Sequence, residues 1–143
     1  MDVRMDGRNA IITGGSAGLG KAMAMEFMRS GANVAIVARR QDVLDQAKAE
    51  IAAEGKGTVI AISADIRQAD ECTRTFNEVV AALGQVDILV NNAGTSRRGP
   101  FLDISDAEWQ DDFDLKVFSA IRFSKLVIPG MRERKWGRII NVL

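Results

Sequence analysis

A doubly wound α/β fold around a parallel sheet is the architecture this sequence predicts. Three observations carry the prediction. Short apolar runs alternate with stretches of helical spacing along the 143 residues. A glycine-rich turn joins the first apolar run to the first helix. Polar segments stand just after later runs, at the carboxyl edge where open parallel sheets bind their ligands.

The first strand is expected over 8–13, with Ala10-Ile11-Ile12 at its centre. It feeds Thr13-Gly14-Gly15-Ser16-Ala17-Gly18-Leu19-Gly20, and the helix-forming run 21–28 follows. Glycine lets the backbone approach a ligand closely. The first N–H groups of a helix have no partner within it and carry the positive end of its dipole. The turn therefore reads as an anion site, typically for phosphate. This helix is expected to run to about Ser30, with Gly31 as its stop.

Asn33-Val34-Ala35-Ile36-Val37-Ala38 is the second strand, with Arg39-Arg40 at its end. Leu44, Ala47 and Ile51 have helical spacing, and Gly55 and Gly57 close that helix. Thr58 to Ser63 form the third strand, followed by Ala64-Asp65-Ile66. Phe76, Val79, Val80 and Leu83 make one apolar helical stripe, ended by Gly84. The fourth strand, 86–90, enters Asn91-Asn92-Ala93-Gly94 and then a turn-rich loop, 95–100. Ser105-Asp106-Ala107-Glu108 is a capping box that opens a long helix over 106–128, with Pro129-Gly130 as its expected stop. Arg138-Ile139-Ile140-Asn141-Val142 begins a fifth strand. Apolar residues fall on several sides of the 106–128 helix, which predicts burial on more than one side.

Composition narrows the function classes. Lys and Arg total 19, as do Asp and Glu, so no general attraction to nucleic acid or to a membrane surface is expected. Residues 1–6 contain no apolar core of a secretory signal, and no run reaches membrane-spanning length, which predicts a cytoplasmic protein. Cys72 is the single cysteine, and histidine and tyrosine are absent. His-based triads and His metal sites are thereby excluded, and no metal site is expected. Residues 1–143 read as one domain, without repeats or linkers.

The glycine spacing discriminates among nucleotide sites. Gly14-x-x-x-Gly18-x-Gly20 is not G-x-G-x-x-G. Gly15 to Lys21 approximates a P-loop, but Ala22 stands where a Mg²⁺-binding hydroxyl belongs. The Thr-Gly-x-x-x-Gly-x-Gly form instead resembles the short-chain dehydrogenase/reductase family. Asp65 with Ile66, Asn91-Asn92-Ala93-Gly94, Trp109 and 137–142 extend the resemblance over nearly the whole chain.

The resemblance implies a Rossmann-like sheet and a nicotinamide dinucleotide, bound by Gly14, Ser16, Ala17, Gly18, Leu19, Gly20, Asp65, Ile66, Asn92, Ala93 and Gly94. Asp65 would meet the adenine ring. Ala38 fills the place of an acidic residue that would bind a ribose 2′-hydroxyl, and Arg39, with Arg40, suits a 2′-phosphate; NADP(H) is therefore expected over NAD(H).

In the family a Tyr lowered in pKa by Lys transfers the proton and a Ser positions a carbonyl or alcohol. That set would follow the fifth strand, so the chain is expected to hold the cofactor half, truncated after that strand. Lys116 falls at the family's mid-helix Asn. Either a catalytic role or simple i,i+4 pairing with Asp112 is open to it. Arg97-Arg98 lies near the expected substrate mouth. The resemblance further implies a homo-oligomer formed through the 106–128 helix. Two rivals stay open at this level, a non-enzymatic dinucleotide-binding protein and a P-loop hydrolase.

Overall fold

The computed structural model describes residues 3–94 and 99–143. The loop residues 95–98, including Arg97-Arg98, lie outside the described residues. Five strands form one parallel sheet: β1 (Asn9–Thr13), β2 (Asn33–Ala38), β3 (Val59–Ser63), β4 (Ile88–Asn91) and β5 (Arg138–Asn141). Their order is β3-β2-β1-β4-β5. The order reverses at β1, which pairs Ile11 with Ala35 on one side and with Leu89 on the other. That reversal opens a crevice at the carboxyl ends of β1 and β4.

Helices α1 (Gly18–Arg29), α2 (Gln41–Ala52), α3 (Ala69–Leu83), α4 (Asp106–Phe113) and α5 (Ser119–Arg134) cover the sheet. Because side chains alternate along a strand, β1 feeds two cores. Ala10 and Ile12 pack with Met28, Leu44 and Ile51 of α1 and α2. Ile11 packs with Val79 of α3 and with Phe123 and Val127 of α5. Burial on both faces explains why the strands read as unbroken apolar runs.

Polar residues join the opposite, amino-terminal edge. Buried Asp87 accepts from the Asn9 amide at 2.9 Å and from Gln85 Nε2 at 2.8 Å. Asn9 Nδ2 donates to the carbonyls of Leu83 and Gln85, and its Oδ1 accepts from Asn33 at 2.9 Å. Satisfied on every side, this network fixes the register of β1, β2 and β4 far from the crevice.

The long helix differs from the expectation at both its middle and its end. The capping box is present, with Ser105 and Glu108 bonded reciprocally. The helix is then interrupted by a π-helical turn over Asp114–Phe118. It does not stop at Pro129-Gly130 but continues to Arg134. Proline removes one backbone donor and disfavours the helical conformation of the residue before it. Burial of Val127 and Met131 outweighs that cost. Arg134, donating to the Val86 carbonyl at 2.7 Å, ties the last turn to the sheet. The stop is Lys135, left-handed at φ 57°, with the Trp136 amide reaching back to the Met131 carbonyl.

One side of α5 packs on α3 and β4. The other, continued by the π-helical turn before it, leaves Val117, Phe118 and Ile121 more than two-fifths exposed. Ile140 of β5 is similarly exposed.

Candidate cofactor site

The crevice is built on Thr13. Its side chain is buried, and Oγ1 accepts from the backbone amides of Asn92 and Ala93, each at 3.0 Å. Asn92 answers with its side chain, Nδ2 donating to the carbonyls of Thr13 and Gly14 at 3.2 and 3.3 Å. The glycine loop and the segment after β4 are thus one hydrogen-bonded unit. Sequence reasoning placed Thr13 in the loop but missed this role; a β-branched hydroxyl at the last position of a buried strand was the available signal.

The two glycines opening α1 do different work. Gly18 has φ +54°, and a Cβ there would meet no atom within 4 Å. Its outer face is open to a ligand. Gly20 faces inward: a Cβ there would lie 2.2 Å from the Gly14 carbonyl oxygen and 2.5 Å from Asn92 Nδ2. Gly20 therefore permits the close packing of the loop on Asn92.

The amino terminus of α1 is suited to an anion. Ala17 offers it no capping side chain, and its first turn contains no acidic residue, unlike those of α2, α3 and α4. Ala17 and Leu19 are exposed and Ser16 is half-buried beside them. The residues present fit a pyrophosphate on geometric and electrostatic grounds. Lys21 does not point at this site. It pairs with Glu50 of α2, which removes the lysine that the P-loop alternative requires.

Arg39 ends β2, exposed, with its carbonyl held by Ser63 Oγ at 2.8 Å. Among the described residues its guanidinium has no hydrogen-bonded or ion-paired partner. Arg40 is instead engaged by Asp42 at 2.9 Å, as α2 begins. The two arginines, grouped by sequence, are thus separated by structure.

Asp65 lies beyond β3 and is clasped by Arg67, whose Nε and Nη2 reach its two carboxylate oxygens at 2.9 and 2.8 Å. Those hydrogen bonds hold its carboxyl below the usual carboxylate range, against the opposing effect of burial, and the charge of Arg39 adds to the effect. The side chain of Ile66 is buried in the core. It offers no side-chain surface to a ligand, and its carbonyl accepts from Cys72 Sγ. Burial pushes the Cys72 thiol up to about 11, so it is an inert core group.

A cavity of about 460 Å³ lies next to the crevice. Thr13, Asn92, Gly94, Lys116 and Ser119 are among its lining residues. Lys116 Nζ pairs with Asp112 Oδ1 at 3.2 Å, the i,i+4 contact foreseen from sequence. Its stem also covers Gly94, with Cε 3.2 Å from the position of a Cβ there. No group of three or more metal-ligating side chains occurs among the described residues. No helix among them is long and apolar enough to cross a membrane.

A glycine turn before an uncapped helix, a Thr–Asn lock beside it and an acidic residue beyond β3 define a dinucleotide-binding class of α/β domain. A model of the short chain dehydrogenase family matches residues 8–143, and the chain belongs to that family. It is 38% identical over 142 residues to the uncharacterized oxidoreductase YvrD of Bacillus subtilis, covering 99% of this chain and 53% of that protein. L-sorbose reductase from Gluconobacter frateurii, solved with NADPH and L-sorbose, superposes with a TM-score of 0.93 at 35% identity. That match covers 99% of this chain and 54% of the reductase. A 7α-hydroxysteroid dehydrogenase solved with NADH and 7-oxo glycochenodeoxycholic acid gives 0.91 at 36% identity, over 99% and 55% of the two chains. The chain spans about half the length of most of the curated relatives it matches, 53% of YvrD among them.

Proposed function

We propose that this chain is the cofactor-binding portion of an NADP(H)-dependent oxidoreductase acting on a carbonyl/alcohol pair. The nicotinamide, when bound, supplies the hydride chemistry. The residues of this chain bind and orient it. The open turn at Gly18 and the start of α1 take the pyrophosphate, and Asp65 takes the adenine amine. Asn92, Ala93 and Gly94 line the ribose beside Lys116. Tyrosine is absent from the 143 residues, so proton transfer is assigned to residues outside them. Lys116, paired with Asp112, is assigned to shaping the cavity rather than to proton transfer.

The observation that carries the NADP(H) preference is Arg39, exposed just after β2 with no ion-paired carboxylate among the described residues. A guanidinium matches a phosphate in charge and fork geometry. Relatives solved with NADPH and with NADH both occur, so the preference rests on this residue. A charge-assisted contact of this kind contributes roughly 1.5–3 kcal/mol. Titration should therefore show NADP⁺ binding about tenfold or more tighter than NAD⁺, and Arg39→Asp should abolish the gap. Equal affinities in the parent protein would refute the preference.

The exposed apolar side formed by Val117 and Phe118 of the π-helical turn and Ile121 of α5 supports self-association through the long helix that runs from α4 to α5. Replacing Val117 and Ile121 by Ser should shift the size-exclusion volume toward the monomer; an unchanged volume from an already monomeric parent would exclude it. The buried, unpaired Cys72 and the absence of a spanning helix among the described residues fit a cytoplasmic setting.

A further inference from the structure

Arg67 was singled out neither by spacing nor by motif, yet it ties Asp65 to two other elements beside the crevice. Its backbone amide and Nε both donate to Asp65 Oδ1, at 3.2 and 2.9 Å, and Nη2 donates to Oδ2 at 2.8 Å. Nη1 reaches Asp111 Oδ2 of α4 at 3.4 Å. Its carbonyl accepts from Arg122 Nη1 of α5 at 3.0 Å.

We propose that Arg67 is a positioning residue for the adenine end of the cofactor, aiming one acceptor of Asp65 at the adenine amine and anchoring that turn to α4 and α5. The proposal rests on the dinucleotide reading above and adds to it a residue, an acceptor atom and a tether.

The lone-pair count selects the atom. A carboxylate offers about four acceptor positions, two on each oxygen. The two bonds from Arg67 fill Oδ1. On Oδ2 only one position is taken, so that oxygen keeps a free acceptor. The side chain is about one-third exposed, so that free acceptor is accessible to a donor such as an exocyclic amine.

An ordinary surface ion pair contributes little, because two long side chains must be ordered to make it. Arg67 differs in being fixed from three directions: by Asp65, by Asp111 and through its carbonyl by Arg122. The carboxylate is thereby held before any ligand arrives, which lowers the cost of binding.

The charges around Asp65 set the pH range in which this works. Arg67 and Arg39 favour its ionised form, while Glu71 at the start of α3 opposes it and is itself paired with Arg74. Asp111 and Asp114 face the Arg67 guanidinium from the α4 side and reinforce its charge. A depressed carboxyl keeps its ionised form, and the affinity that depends on it, until the pH falls through the lowered value. Without Arg67 that loss begins at a higher pH.

The test is calorimetric titration of 2′,5′-ADP into the parent protein, R67Q, R67K, D111N and D65N, over roughly pH 4 to 8. R67Q should bind about tenfold more weakly near neutral pH, and its acid limb should move to higher pH. R67K retains the charge without the fork, so its affinity should be intermediate with little movement of the limb. D111N should weaken binding slightly and leave the limb in place. If R67Q matches the parent, or weakens binding without moving the limb, the positioning role is overturned while the cofactor reading stands. Were R67Q to misfold, a parent-like affinity in R67K would overturn the role equally. Failure of the parent to bind 2′,5′-ADP would instead overturn the NADP(H) reading, and D65N binding as well as the parent would overturn the assignment of Asp65 to the adenine amine.

Discussion

Replacing Thr13 by Val tests the lock between the glycine loop and the segment after β4. The two side chains are nearly equal in shape, so the buried volume is unchanged, and only the hydroxyl is lost. That hydroxyl accepts the amides of Asn92 and Ala93 at 3.0 Å each. Each orphaned amide costs about 1–3 kcal/mol when kept from water. Asn92 and Ala93 are half-buried rather than fully buried, so water recovers part of the loss. The expected destabilisation is about 2–4 kcal/mol, a large fraction of the stability of an ordinary domain. With a urea dependence of about 2 kcal/mol per molar, the unfolding midpoint should fall by about 1–2 M. Thr13→Ser keeps the acceptor and should lose far less. Urea unfolding followed by tryptophan fluorescence measures all three proteins. A Thr13→Val midpoint equal to that of Thr13→Ser would refute the assignment of these bonds as the lock.

The glycines of the loop should separate by mechanism. Gly20→Ala drives a Cβ to 2.2 Å from the Gly14 carbonyl, so thermal unfolding should show a marked loss of stability. Gly18→Ala meets no neighbour and should cost only about 1–2 kcal/mol for its left-handed backbone. It should nevertheless weaken dinucleotide binding in a titration, because its open outer face is the proposed approach of the ligand. Equal stability losses at the two positions would contradict the distinction.

Much of this molecule was legible in its sequence, and the physical reason is local. The strands Asn33–Ala38 and Ile88–Asn91 are apolar because a parallel sheet covered on both faces leaves no side of a strand in water. Gly31 and Gly84 have positive φ just after helices, a conformation that other residues rarely adopt, so their spacing marked the ends of α1 and α3. The capping box at Ser105 and Glu108 is likewise a signal contained within four residues. What the sequence did not disclose depends on contacts between segments remote in the chain. Pro129 reads as a helix stop, and only the burial of Met131 and the bond from Arg134 to Val86 carry α5 through it. Arg39 and Arg40 look equivalent until Asp42 engages one of them. Gly18 and Gly20 look alike until Asn92, more than 70 residues away, is seen packed against one and not the other. Local propensity and spacing determined the elements and the edge at which a ligand would bind. The division of labour among the residues at that edge was decided by tertiary packing, because an acceptor's free lone pair or an open face exists only once the neighbours are in place.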